Sequence, residues 1–352
     1  MYIKGTVKHM IKILSIDGGG VKGLYAATVL DKLEKTYGVS ITEKVDIISG
    51  TSIGGIIALG LACGKRPSEI MEFFDHHGPK IFKPNYIWLK CIKKALGAFF
   101  CSVYSDKALV TACKDFFGKI KMGDLATESY PKLSVCIPTS NLITGSNRVF
   151  KTSHHESFSR DQHYFVWQVA LATSAAPYYF PVAEVETANG SEFYVDGGLW
   201  GNNPSMVAVT EALSYLSCQK NQHEEVSLDK IALFSLGNIP EPVGEAKVRF
   251  RSRSLIAWNL KLVTLPLTFQ AEGAHNMVRL LLELNDGNYF RIEHQNLSSN
   301  QKKLIGLDKA GKASMELLKS LASRDAETHT SPGSRGAEFY KHFFDLGGKE
   351  HG

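Results

Sequence analysis

VDIISGTSIGGIIALGLA, Val45–Ala62, is the stretch on which the reading of this chain turns. Val45 to Ser49 is a short, mostly apolar run and fits a buried strand. Ile53 to Cys63 is apolar on every face and fits a helix at the centre of a fold, ended by Gly64. Between them lies Gly50-Thr51-Ser52-Ile53-Gly54, a G-x-S-x-G pattern. Set between a strand and a helix, this spacing lifts a serine oxygen above the strand's end. The N–H groups that open the helix, beginning near Ile53, then favour negative charge developing at that oxygen. Gly50 and Gly54 permit the tight turn and the close packing beside it. Ser52 is therefore the candidate nucleophile; the competing reading is a glycine-rich turn with a serine N-cap.

Working upstream, Ile11–Ile16 reads as another buried strand, and a helix covers Leu24–Tyr37, ended by Gly38. They are joined by SIDGGGVKG (Ser15–Gly23), which contains Gly18-x-Gly20-x-x-Gly23, the spacing of a dinucleotide-binding loop. That motif needs an acidic residue at the end of the second strand. Asp46 instead begins that strand, and the serine elbow occupies its end. Asp17 would also sit badly beside a pyrophosphate. A dinucleotide-binding enzyme is thus the weaker reading of this loop.

Working downstream, Leu133–Pro138, Glu192–Val195 and Ile231–Leu236 fit strands. Trp167–Ser174 and Pro204–Leu216 fit helices, the latter with Asn203 as N-cap. Short apolar strands alternating with helices imply an α/β fold whose mostly parallel sheet is covered on both faces. A serine nucleophile needs a base. His275 and His294 make the order Ser…Asp…His available, but neither lies in a recognisable motif. Asp196 ends a strand and opens Asp196-Gly197-Gly198, where the two glycines let a carboxylate approach a second loop closely. By itself this also fits an ordinary turn aspartate.

The bulk numbers exclude some classes. The chain has 352 residues and a net charge of +5, far from the basic excess of a nucleic-acid binder. The six cysteines form no C-x-x-C and no zinc pattern, and there is no H-E-x-x-H or EF-hand loop, so no metal or cofactor is expected. No secretory signal and no run of about 18 apolar residues is legible. The expectation is a cytoplasmic protein of a reducing compartment, with lipid contact at most peripheral.

The segments Ile81–Tyr104 and Arg249–Phe269 mix aromatic and basic residues. They read as caps or insertions, near 78–110 and 245–275, on one catalytic domain spanning 1–323. Trp88, Phe99, Phe100 and Trp258, with Lys90, Lys93, Lys94, Arg249, Arg251 and Arg253, suit a membrane interface. A cap packed on the body, a homo-oligomer contact or an effector-binding surface would use the same composition. THTSPGSRG reads as a linker, so 324–352 is expected as linker followed by the short amphipathic EFYKHFFDL.

Four blocks in order, DGGGVKG, GTSIGG, ATSAAPYYFP and VDGGLWGNNP, resemble the patatin-like phospholipase family from about Ile11 to Ala212. The resemblance implies a three-layer α/β/α sandwich. It implies phospholipase A-type cleavage of membrane phospholipid esters through an acyl-enzyme, with Ser52 as nucleophile and Asp196 as proton acceptor. It assigns the oxyanion hole to backbone N–H groups of Gly18, Gly19 and Gly20. Lys22 falls where the family carries Arg or Lys near that loop. Gly50, Ile53, Gly54, Gly197 and Gly198 support the two catalytic turns. GPKIF, NMVRLLL and NYFRIE look more like bacterial members, some of which are anti-phage effectors switched on by a cyclic nucleotide. A cyclic nucleotide is accordingly a candidate activator, although no nucleotide-binding motif is legible. A catalytically silent module that binds membrane or a partner is the alternative function.

Overall fold

The computed structural model describes residues 10–83, 102–152, 159–187, 190–218, 227–240, 252, 258 and 261–346. Of the ten residues expected at a membrane interface, only Trp258 lies within the described residues, half-buried.

One eight-stranded sheet organises the chain. Its strands are β1 (Ile11–Ile16), β2 (Ile47–Gly50), β3 (Ser134–Asn141), β4 (Ser146–Lys151), β5 (Ala183–Thr187), β6 (Gly190–Asp196), β7 (Ile231–Leu236) and β8 (Asn288–Ile292). The run β3-β2-β1-β7-β8 is parallel throughout. Strands β4, β5 and β6 are added antiparallel.

The described helices of more than eight residues are α1 (Gly23–Tyr37), α2 (Ile53–Ala62), α3 (Pro67–Ile81), α4 (Lys107–Phe117), α5 (Val166–Ser174), α6 (Ser205–Cys218), α7 (Lys261–Glu283), α8 (Lys312–Thr330) and α9 (Arg335–Phe343). They cover both faces of the sheet, and the pleat of β1 shows how. Leu14 and Ile16 point into one core with α1, α2 and α8, while Ile11 and Ile13 point into a second core with α6 and α7. The result is the three-layer α/β/α sandwich.

The register explains how two distant segments meet. Cys136 of β3 pairs with both β2 and β4, and Thr139 to Asn141 pair with both β4 and β6. A strand has two edges, so β2 and β6 share one edge of β3. They run in opposite directions and meet end to end: Ser49 lies opposite Cys136, and Asp196 opposite Thr139. Pro138 falls in the gap between them, where its missing N–H interrupts no ladder. The ends of β2 and β6, carrying the turns with Ser52 and Asp196, are thereby brought face to face.

Two expectations shift. Strand β2 begins at Ile47, and Asp46 before it binds Lys12 twice: its N–H donates to the Lys12 carbonyl at 2.8 Å and its carboxylate accepts the Lys12 N–H at 2.7 Å. The tail from residue 324 is not mainly linker. Helix α8 continues to Thr330, and the chain turns only through Ser331–Ser334, where Gly333 has φ +80°. Helix α9 then packs Tyr340, Phe343 and the following Phe344 into the main core. The Thr, His and Ser at the turn hide a helix whose buried face is carried by residues further upstream, Met315, Leu318 and Leu321.

Helix α7 fills the described part of the second expected insertion. Its inner face carries Val263 and Leu267, which line the pocket at Ser52. Its outer face is also apolar: Leu262, Phe269, Met277 and Leu280 are exposed and lie on one stripe at helical spacing. Among the described residues, no helix is long and apolar enough to cross a membrane.

Candidate active site

Ser52 stands between β2 and α2 with φ 56° and ψ −124°, a left-handed conformation that a residue with a side chain holds only under constraint. The constraint comes from close packing. A Cβ on Gly50 would lie 2.1 Å from the Gly54 carbonyl oxygen, and one on Gly54 would lie 2.4 Å from that of Ile16. Glycine at both positions lets strand, turn and helix approach this closely. The Ser52 N–H donates to Thr173 Oγ1 at 3.0 Å, and the Thr173 hydroxyl in turn donates to the Pro138 carbonyl at 2.7 Å. The Thr51 hydroxyl donates to the Gly201 carbonyl at 2.5 Å, tying the elbow to the turn after β6.

Asp196 is buried at that second turn and lines the same pocket as Ser52. The Ser52 hydroxyl is near enough to act on its carboxylate, which accepts the Gly198 N–H at 2.7 Å. Burial pushes its pKa up to about 6, against the two hydrogen bonds, which favour the ionised form. Gly197 brings this turn against β3, where a Cβ would meet the Pro138 carbonyl oxygen at 2.2 Å. A carboxylate so placed can take the serine proton, and its raised pKa makes it a better base near neutrality than an exposed aspartate.

The glycine loop lies across from the pair. Gly19 and Gly20 line the pocket, and among the described residues their N–H groups have no hydrogen-bonding partner. Gly18 differs from the expectation: its N–H donates to the Asn202 carbonyl at 2.9 Å and is therefore engaged within the fold. Gly20, with φ 57°, cannot carry a side chain, because a Cβ would run into the Leu307 carbonyl. Lys22 also differs. It is buried, and its Nζ donates to the Ile239 carbonyl at 2.8 Å on the side of the loop away from Ser52.

Neither histidine reaches the site. His275 Nδ1 is 2.8 Å from the Tyr289 hydroxyl, His294 Nδ1 is 2.7 Å from Asp325, and neither lines the Ser52 pocket. The geometry brings Ser52 together with Asp196 and leaves the Ser…Asp…His order unused. Nor does the loop suit a pyrophosphate: the Asp17 carboxylate before it is tied to Arg291 at 2.7 Å, and Asp46 is bound to the backbone of β1.

The pocket itself, about 840 Å³ with its open mouth, is lined largely by apolar groups such as Ile56, Phe73, Leu109, Phe180 and Leu267. Sequence reasoning assigned no role to Thr173, Asn202 or Asn238. Thr173 and Asn202 lie inside the ATSAAPYYFP and VDGGLWGNNP blocks, but the contacts that give them work are made to other segments. Asn202 accepts from Gly18 and donates to the Leu267 carbonyl at 3.1 Å. Asn238 Nδ2 donates to the carbonyls of Asp17 and Gly18 at 3.2 and 2.9 Å. Together they fix the loop in place.

The sequence matches the family model described as Patatin-like phospholipase over residues 14–209. A cGAMP-activated phospholipase of Pseudomonas aeruginosa is 32% identical, covering 90% of this chain and 87% of its own length. Proteins of the same description from Vibrio cholerae and Escherichia coli are 29% and 28% identical, covering 95% and 90% of this chain and 96% and 88% of their own. With more than half of the chain matched by the family model and a relative above 30% identity aligned almost end to end, this chain belongs to the patatin-like phospholipases, a family of lipid ester hydrolases.

Proposed function

We propose that the chain hydrolyses acyl esters of membrane phospholipids through a Ser52–Asp196 dyad. The observation that carries this reading is the pairing of a serine in a left-handed elbow with a buried carboxylate at the end of an opposing strand. Asp196 takes the proton of Ser52 as its oxygen attacks the ester carbonyl. The resulting oxyanion accepts hydrogen bonds from the N–H groups of Gly19 and Gly20. The bond to the lipid alcohol breaks, and the proton passes from Asp196 to the departing oxygen. Water then gives its proton to Asp196 and attacks the acyl-Ser52 ester, releasing the fatty acid and restoring the serine. Each oxyanion donor contributes about 3 kcal/mol to the barrier reduction. The apolar pocket receives the acyl chain, with Ile53 and Ile56 near its reacting end.

We further propose that the protein works at a membrane surface. Supporting this is the apolar outer stripe of α7, whose inner face borders the pocket. In line with its bacterial relatives, which are cGAMP-activated phospholipases, a cyclic nucleotide is the proposed activator. The test is a fluorophosphonate probe together with product analysis of treated lipid extracts, with and without cyclic GMP–AMP. Labelling at Ser52 and release of fatty acid, both lost in Ser52→Ala, are expected. Full fatty-acid release by Ser52→Ala or Asp196→Asn would overturn the dyad, and absence of labelling and release under every condition would favour a silent binding module.

A further inference from the structure

Behind the glycine loop lies a second cavity, about 1020 Å³ with its mouth. Gly19, Asn202, Leu267 and Leu307 form the wall it shares with the Ser52 pocket. It adjoins a further groove of about 930 Å³, with which it shares His275, Arg291, Glu293 and Gln295. The catalytic pocket is almost wholly apolar; these two adjoining spaces carry polar groups beside apolar ones such as Ile239, Pro240 and Leu267.

Two buried polar atoms in it are without a partner among the described residues. Asn238 is 8% exposed and lines the cavity. Its Nδ2 is spent on the loop carbonyls, and its Oδ1 has no partner. His294 is 4% exposed and lines the adjoining groove. Its Nδ1 faces the Asp325 carboxylate, which also accepts from Tyr25, so Nδ1 carries the proton. The ring's other nitrogen, Nε2, has no partner among the described residues. A buried polar atom without a partner is costly and uncommon in a native structure. Two of them in adjoining cavities ask for a hydrogen-bonding ligand, one that brings an N–H donor to Asn238 Oδ1.

Charge narrows the class. Arg291 is already held by Asp17 and Glu293, and the cavity's described cations, Lys22 and Arg291, are balanced by Asp17, Glu272 and Glu293. This does not suit a bare phosphate. It suits a flat, nitrogen-rich group read by amides and imidazoles: a purine base, whose amino and ring N–H groups supply the donors.

We propose that this cavity is the site of a purine nucleotide that regulates the enzyme, with a base inserted behind the glycine loop and the phosphates at the mouth. The proposal rests on the reading that a cyclic nucleotide activates this chain. It also supplies a route for the activation. Asn238 grips Asp17 and Gly18 from behind, and Arg291 grips the Asp17 carboxylate at 2.7 and 3.2 Å. The next two residues present the oxyanion donors. A base bound to Asn238 Oδ1 changes the hold on the loop that carries those donors, so binding and catalysis are coupled.

The experiment is titration calorimetry of cyclic GMP–AMP into the full chain carrying Ser52→Ala, alone and combined with His294→Phe or Asn276→Trp. His294→Phe removes one of the two unpartnered atoms. Asn276→Trp obstructs the mouth at an exposed position and keeps the test valid if the first variant is poorly folded. Binding at least tenfold weaker in both is expected. In the chain that retains Ser52, the same two substitutions are expected to leave nucleotide-free ester hydrolysis unchanged. Unchanged affinity in a chain that the nucleotide still stimulates would overturn the site and leave activation standing. No binding and no stimulation of the parent chain would overturn activation itself. A changed preference between phosphatidylethanolamine and phosphatidylcholine vesicles, with nucleotide affinity intact, would make the cavity a headgroup subsite and overturn the proposal.

Discussion

The two cavities on either side of the glycine loop share part of their wall and differ in how many polar groups line them. In front, Gly19 and Gly20 border a pocket walled by Ile56, Phe73, Leu109 and Phe180, where the polar groups cluster at Ser52 and Asp196. Behind, the carbonyls of Asp17 and Gly18 turn to Asn238, and the wall mixes amides, hydroxyls and paired charges with Ile239, Pro240 and Leu267. A peptide loop carries donors and acceptors pointing in different directions. In the proposed chemistry it offers the spare N–H groups of Gly19 and Gly20 to the reaction side, while the carbonyls of Asp17 and Gly18 are secured by Asn238. In an apolar pocket a developing oxyanion is poorly served by solvent, so the loop's donors act on it strongly. The polar side does not contact the reacting atoms and can hold or shift the loop.

The comparison is broken most severely at the dyad. Ser52→Ala and Asp196→Asn are each expected to lower kcat by roughly 10⁴-fold or more while the chain stays folded, read by ester hydrolysis and circular dichroism. Retention of a tenth of the activity in either variant would remove the front pocket's claim to the chemistry. Next in size is Gly19→Pro, which deletes one donor facing Ser52. A loss of about 10²–10³-fold is expected. The same loss in fluorophosphonate labelling would tie it to oxyanion binding. Near-normal turnover would show that the oxyanion is held elsewhere.

The pH profile sharpens the contrast more gently. Asp196 accepts a proton only when ionised, and its pKa is pushed up to about 6 by burial. The acid limb of kcat/KM should therefore fall tenfold per pH unit below about pH 6, not below the pH 4 of an exposed aspartate. A profile flat to pH 5 would contradict that assignment. Smaller still is Thr173→Val, which keeps the side chain's shape and leaves the Ser52 N–H without its acceptor. A stability loss of about 1–3 kcal/mol is expected in denaturant unfolding, with a several-fold fall in kcat. An unchanged unfolding midpoint would show that the elbow is held by packing alone.

Sequence and structure agree where the chain is most constrained. The parallel strands β1, β2 and β7 are apolar on both faces and stand out as short runs. The elbow announces itself because glycine is needed on both flanks of Ser52. Strands β4 and β5 were missed because SNRVFK and AEVET are half-exposed and read as loop. The meeting of Ser52 with Asp196 was available from the family blocks but not from spacing, since it depends on β2 and β6 sharing one edge of β3. The three glycines of the loop were legible as a group. Their separate duties were not, because which N–H faces Ser52 and which faces Asn202 is decided by backbone direction. Lys22 shows the same limit: its place near the loop was legible, and the side of the loop on which it lies is set by the turn.

Ser52 leaves one more consequence in the language of selection. Its left-handed backbone is an instability kept at the centre of the fold because the chemistry requires the oxygen to stand there. Any replacement with a Cβ inherits that instability, while Ser52→Gly escapes it. The glycine variant should be inert, yet about 1 kcal/mol more stable than Ser52→Ala after the entropy of the freer unfolded chain is subtracted. Equal melting temperatures for the two would show a relaxed elbow. A lineage selected for durability alone would drift toward that glycine, and the serine persists there only under demand for turnover.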